Sequence, residues 1–177
     1  MVQKKILGEE RRQYILQLLR KSSQPITGSE LAEKTMVSRQ IIVGDITLLK
    51  AKNEPIIATS QGYLYLKQGA SDVLYERTVA CCHTPADTEK ELNIIVDHGV
   101  TVKDVKIEHA VYGDLTASIM VTNRQEVKQF INKLETNKAP LLSELTGGAH
   151  LHTLTATSEA AIDKAETALK KEGFLME

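Results

Sequence analysis

Apolar positions recur with helical spacing through the first fifty residues. Over 9–20, Tyr14, Ile15, Leu18 and Leu19 fall on one stripe of a helix, while Arg11, Arg12 and Gln13 fall elsewhere. Residues 22–25 break that pattern, and Thr27 or Ser29 can cap a short second helix carrying Glu30, Leu31, Ala32 and Lys34. A turn at Met36-Val37 follows. Ser38 then reads as an N-cap, its hydroxyl placed to accept from the free amides of a first turn. Ile42, Ile46 and Leu49, at i, i+4 and i+7, give this third helix an inward face. Two short β-like runs, 56–59 and 63–66, flank Ser60-Gln61-Gly62, a hairpin signal, and 67–72 is a polar linker.

Beyond the linker the pattern changes. A strand is expected over 78–82, and Thr84-Pro85 opens a helix to about His98. Strands over 105–112 and 115–121 meet around Gly113-Asp114. The spacing of Thr122 and Gln125 suits a capping box, opening a helix to about Glu135. Residues 151–156 alternate as a strand, and the alanine-rich helix over 158–171 is stopped by Gly173. The expected class is α+β: a helical head with a small hairpin over 1–68, and a βαββαβα unit over 75–177.

Composition adds two constraints. With 42% apolar and 25% charged residues, the chain is an ordinary globular protein, with no apolar run near the ~20 residues that span a bilayer. The start lacks the apolar stretch of a signal peptide, and the two cysteines, Cys81 and Cys82, are adjacent and poor disulfide partners for each other. A reducing cytoplasm is the expected compartment. The net charge of −1 conceals an uneven distribution. Residues 1–67 carry eleven Lys/Arg against six Asp/Glu, whereas the remainder carries eleven against seventeen. A basic head on an acidic body suits a polyanion partner for the head alone.

Three helices and a hairpin in this order make a winged helix-turn-helix, whose third helix enters the major groove of double-stranded DNA. Its outer face would present Arg39, Gln40, Val43, Thr47 and Lys50, with Ser38 at its start. Arg39 and Gln40 lie at the end that reaches base edges; Lys50 and Lys52 suit phosphates. Gly44 costs a helix interior about 1 kcal/mol relative to alanine, which close approach of DNA or of another helix could justify. The competing reading is a three-helix interaction module with a solvated charged face. The stretch ITGSELAEKTMVSRQIIVGDITLLK and the wing ending GYLYL resemble the winged helix-turn-helix at the head of biotin-repressor-type regulators.

All five histidines follow the linker: His83, His98, His109, His150 and His152. His150 and His152, at i and i+2 of a strand, share a face and could reach one ion. If the βαββαβα order folds as an open-faced antiparallel sandwich with first and last strands adjacent, His83 comes to the same end of the sheet. The following helix then offers Glu91 or Asp87 as a carboxylate. Such a set suits Zn²⁺, Ni²⁺ or Fe²⁺. Without that juxtaposition a His-x-His pair is a packing or surface feature. His98 reads as a helix C-terminal residue interacting with the dipole. Cys81 and Cys82 read as strand residues, one facing inward.

The winged helix together with CCHTPADTEKEL, IEHAVYGDLTASI and GGAHLHTL resembles the three-histidine (3H) domain regulators, and more closely the nicotinate-responsive NiaR (YrxA-type) repressors. The resemblance covers nearly the whole chain. It implies a homodimer that binds operators of NAD biosynthesis and salvage genes, with nicotinic acid as corepressor sensed by a metal-containing domain. It implies a divalent transition metal at His83, Glu91, His150 and His152, and leaves His109, with Tyr112, as an effector-pocket candidate. The alternatives are a regulator for which the metal itself is the signal and a metal-dependent hydrolase; no nucleophile motif or HExxH accompanies the latter. The element order also resembles the phosphocarrier HPr, but Thr84-Pro85-Ala86-Asp87 lacks the arginine expected after its histidine.

Overall fold

The computed structural model describes residues 7–66 and 74–176. Contacts divide the chain into two compact units, one ending at 70 and the other beginning at 71. The linker expected over 67–72 lies outside the described residues.

The first unit consists of α1 (Gly8–Lys21), α2 (Gly28–Thr35), α3 (Arg39–Ala51) and an antiparallel hairpin of β1 (Ile56–Thr59) and β2 (Gly62–Tyr65). Thr27 caps α2 by accepting from the Glu30 amide, and Ser38 caps α3 by accepting from the Ile41 amide. Ile42, Ile46 and Leu49 of α3 pack with Ile15, Leu16, Leu19 and Leu31 in one core. Two assignments on α1 change. Tyr14 is 36% exposed while Leu16 is buried, so the apolar stripe is rotated relative to the expected one. Arg11, expected on the polar side, is buried and bound to Asp45 of α3, its Nε donating to Oδ2 at 2.5 Å. Periodicity could not reveal this, because a buried arginine is tolerated only when a carboxylate on another element satisfies it. Gly62 has φ +144, and a Cβ there would lie 2.5 Å from the Ile26 carbonyl oxygen. The wing therefore lies against the segment entering α2, with Ile26 and Tyr63 exchanging backbone hydrogen bonds.

The second unit runs β3 (Tyr75–Cys82), a 3-10 turn (Pro85–Asp87), α4 (Thr88–Asp97), β4 (Thr101–His109), β5 (Gly113–Ala117), α5 (Arg124–Asn137), a second 3-10 turn (Leu142–Thr146), β6 (Ala149–Ala156) and α6 (Glu159–Lys171). The antiparallel sheet has the order β3-β6-β4-β5, so its first and last strands are neighbours. Alternate residues of β6, namely His150, His152, Leu154 and Ala156, are buried, and the latter two join Leu92, Ile95, Ile162 and Leu169 of the helices in the core.

β4 starts at Thr101 rather than 105, because a register shift between Val102 and Asp104 breaks the period of two on which a sequence reading depends. β5 ends at Ala117, ahead of Met120 at φ 51, and only Val121 rejoins Val102 as an isolated bridge. The cap of α5 also shifts by one residue. Asn123 accepts from the Glu126 amide, and the Glu126 carboxylate takes hydrogen bonds from the Thr122 amide and hydroxyl.

Candidate metal centre and nucleic-acid interface

The adjacency of β3 and β6 sets Cys82 opposite Ala149 and Cys81 opposite His150. His83, just past the end of β3, therefore lies against the Gly147-Gly148 turn that opens β6. The approach is close: a Cβ on Gly148 would lie 2.4 Å from the His83 carbonyl oxygen. Glu91, in the first turn of α4, is fully buried beneath the same end of the sheet.

Three imidazoles converge on that carboxylate. Nε2 of His83 lies 2.8 Å from Glu91 Oε2, Nε2 of His152 lies 3.2 Å from Oε2, and Nε2 of His150 lies 3.3 Å from Oε1. Every Nδ1 faces a backbone carbonyl: His83 that of Thr84 at 2.9 Å, His150 that of Gly148 at 2.8 Å, and His152 that of Asp104 at 2.8 Å. A carbonyl only accepts, so each Nδ1 carries a proton, and a ring in its neutral form turns its Nε2 lone pair toward Glu91. Lone pairs facing a buried carboxylate are mutually repulsive unless a cation lies among them. The His83–Glu91 contact also lacks hydrogen-bond geometry, leaving His83 Nε2 and Glu91 Oε1 as buried polar atoms without a hydrogen-bond partner.

Protons are one possible cation. Burial alone would raise the Glu91 carboxyl, but the charge of His152 and the contacts of His150, His152 and His83 hold it well below the usual carboxylate range. Burial lowers His83 and His152, and Glu91 more than offsets that, so both imidazoles stand above their ordinary value. A divalent transition ion is the other. Zn–N and Zn–O bonds of roughly 2.0–2.1 Å place neighbouring ligands roughly 2.9–3.4 Å apart, whether the geometry is octahedral or tetrahedral. The observed 2.8–3.3 Å contacts match that spacing, and the carbonyl-anchored Nδ1 atoms are the usual outer support of metal-ligating histidines. The residues present therefore fit such an ion, which His83, His150, His152 and Glu91 would hold.

The cluster lines a cavity of about 210 Å³. Its apolar walls include Leu92, Val105, Ile119, Phe130, Leu134 and Leu141, and Thr88 and Ser143 add hydroxyls. An apolar cavity of roughly 150 Å³ accommodates benzene, so this one has room for a single substituted aromatic ring. His109 and Tyr112 are not brought there. They lie in the β4–β5 hairpin, ring against ring at 5.0 Å, with His109 Nδ1 accepting from the Val111 and Tyr112 amides. Asp87, the other carboxylate considered, instead accepts the Thr84 hydroxyl at 2.6 Å.

On α3, Arg39, Gln40, Thr47 and Lys50 are exposed and Val43 is half-buried. Among the described residues neither Arg39 nor Lys50 forms an ion pair, so both cations are available to an anionic partner. The Arg39 side chain packs over Gly28, where a Cβ would lie 3.4 Å from its Nε. Among the described residues no atom lies within 4 Å of a Cβ on Gly44, so no described helix explains that glycine.

The 3H domain model matches residues 76–177, and an HTH domain model matches residues 11–64. Over 173 residues the chain is 57% identical to the transcription repressor NadR of Bacillus subtilis, covering 97% of this chain and 96% of that protein. It is 40% identical over 173 residues to the probable transcription repressor NiaR of Thermotoga maritima, covering 98% and 97% respectively. The chain belongs to the NadR/NiaR family.

Within this NadR/NiaR-family chain, sequence reasoning did not place Cys81, Thr88 or Phe130 at the centre. Cys81 Sγ, Glu91 and His150 offer ligand atoms within 4.8 Å of one another. Burial, reinforced by the Glu91 carboxylate, pushes the Cys81 thiol up. Thr88 was visible only as a residue of a helix start, and Phe130 only as an apolar residue of α5. Chain spacing carries no sign that either lines a cavity with residues of β6. For Gly148 a signal existed, the Gly-Gly pair, but the atom it must avoid belongs to His83, far away in sequence. No described helix is long and apolar enough to cross a membrane.

Proposed function

We propose that the protein is an operator-binding repressor of NAD biosynthesis and salvage genes, acting as a homodimer with nicotinic acid as corepressor. Its metal would be held by His83, Glu91, His150 and His152. The observation that carries this reading is the convergence of three Nδ1-anchored imidazoles on a buried carboxylate in the wall of a largely apolar, ring-sized cavity. The names of the two relatives, both transcription repressors, support the regulatory part. A divalent ion with one carboxylate and three neutral imidazoles leaves a net charge of about +1, and when bound it supplies a Lewis-acidic point of attraction for a carboxylate. The chain's own part is to hold that charge beside apolar walls that accept an aromatic ring. In the head, Arg39 and Gln40 read bases, Ser38, Val43 and Thr47 border them, and Lys50 contacts phosphate. A corepressor works only by binding the DNA-competent state more tightly than the other.

The test is calorimetric titration of metal-loaded protein with nicotinate, with nicotinamide as the control. Selective binding of the acid, lost in the double variant His150→Ala/His152→Ala, is the expected result. Absence of binding with the metal present would refute the nicotinate reading. Metal-dependent operator binding would then favour a regulator for which the ion is the signal, which the same buried cluster also supports.

A further inference from the structure

Thr88 is more than nine-tenths buried, and its Oγ1 has no hydrogen-bond partner. A threonine hydroxyl within a helix commonly donates to the carbonyl four residues back. That carbonyl belongs to Thr84 and is already filled by His83 Nδ1 at 2.9 Å and the Asp87 amide at 3.0 Å. The residue that orients the first histidine thus removes the local partner of Thr88. An unpartnered buried hydroxyl is unfavourable and calls for an explanation by a ligand or an ordered water. Thr88 lines the same cavity as the histidine cluster. It also lies one helical turn before Glu91, so their Cβ atoms are neighbours at about 5–6 Å on one face of α4.

We infer that Thr88 is the specificity-determining contact of this cavity, donating its hydroxyl proton to a neutral acceptor on the ring of a heteroaromatic acid. The assignment rests on the nicotinate reading above and deepens it. The charge distribution sets the orientation. The cluster with its ion is the cationic end and takes the carboxylate, whereas Thr88 is neutral and suits an uncharged ring nitrogen. A ring acid without a nitrogen would fill the same apolar walls and leave the hydroxyl unpaired, which is how a buried donor discriminates between ligands of equal size.

The experiment uses the full, metal-loaded chain with nicotinate isotopically labelled at the ring nitrogen. Affinity is measured by calorimetry, and the ring-nitrogen resonance by NMR, in the wild type, Thr88→Val and Thr88→Ser. Valine keeps the shape and removes the donor, whereas serine keeps the donor. Thr88→Val is expected to weaken nicotinate about tenfold and to abolish the bound-state shift of the ring nitrogen that a donated hydrogen bond produces. Thr88→Ser is expected to retain both. A structural role would lower affinity in both variants and leave the ring-nitrogen shift of the bound ligand intact, which would overturn the assignment. An unchanged shift and affinity in Thr88→Val would overturn it alone, with the nicotinate reading intact. A wild type that binds no nicotinate would overturn both.

Discussion

Two adjacent glycines separate the geometry of the histidine cluster from ordinary loop strain. Gly147 and Gly148 both have positive φ, 64 and 101. A Cβ on Gly147 meets nothing within 4 Å, whereas one on Gly148 would lie 2.4 Å from the His83 carbonyl oxygen and 3.3 Å from its carbonyl carbon. Ordinary contact begins at 3.4 Å, so the two segments must part by about 1 Å. Metal–ligand bonds tolerate deviations of about 0.2 Å. The displacement reaches two of the proposed holders at once, His83 through its backbone and His150 through the Gly148 carbonyl that orients its ring. Gly147→Ala is expected to cost about 1 kcal/mol, the penalty of a left-handed alanine. Gly148→Ala adds the clash, for roughly 3 kcal/mol, and is expected to weaken metal binding by roughly 10–100-fold. Thermal unfolding of the metal-free variants reads the first quantity, and competition for Zn²⁺ with a chromophoric chelator reads the second. Equal metal affinity in the two variants would refute the argument that the β3–β6 approach positions the holders.

Removing Asp45 tests the head in isolation from the centre. Asp45→Ala removes the buried carboxylate that binds Arg11 and Arg12 and is expected to destabilise the first unit by about 3–5 kcal/mol, abolishing DNA binding while chelator competition still detects any metal bound to the second unit. Arg39→Ala should lower discrimination between operator and random DNA, whereas Lys50→Ala should weaken both alike and reduce the salt slope by about 1; equal losses on both DNAs for Arg39→Ala would remove it from the base-reading set. The metal-free second unit should also show a pH signature. Raised His83 and His152 contribute stability below about 6.5 that is lost as pH rises through their higher folded values. Lowered Glu91 contributes stability above about 4.5 that is lost as pH falls through its lower folded value. Metal competes with the imidazole protons, so the gap in melting temperature between loaded and metal-free protein should widen from about pH 6 to pH 8; a metal-free form that gains stability over that range would contradict the charge assignment.

Much of the architecture is written in local pattern. Ser38 with Ile42, Ile46 and Leu49 located α3 and its two faces because a cap and a 3.6-residue period are properties of neighbouring residues. The βαββαβα order and the pair His150 and His152 were readable for the same reason, since alternation places i and i+2 on one face of a strand. Where alternation is interrupted, as at the bulge between Val102 and Asp104, the strand start was misplaced.

What the sequence by itself determined, then, was the set of elements, the face each one buries and the residue types able to hold an ion. Only the tertiary structure decided that β3 lies beside β6, that Glu91 rather than Asp87 meets the imidazoles, and that Arg11 is satisfied by Asp45. It also decided that His109 caps a hairpin turn, and that Thr88 and Phe130 line the cavity with the histidines. The physical reason is that caps and amphipathic stripes arise from interactions a few residues apart. Coordination, burial of charge and cavity walls depend on which distant segments share a volume, and that is set by packing of the whole chain.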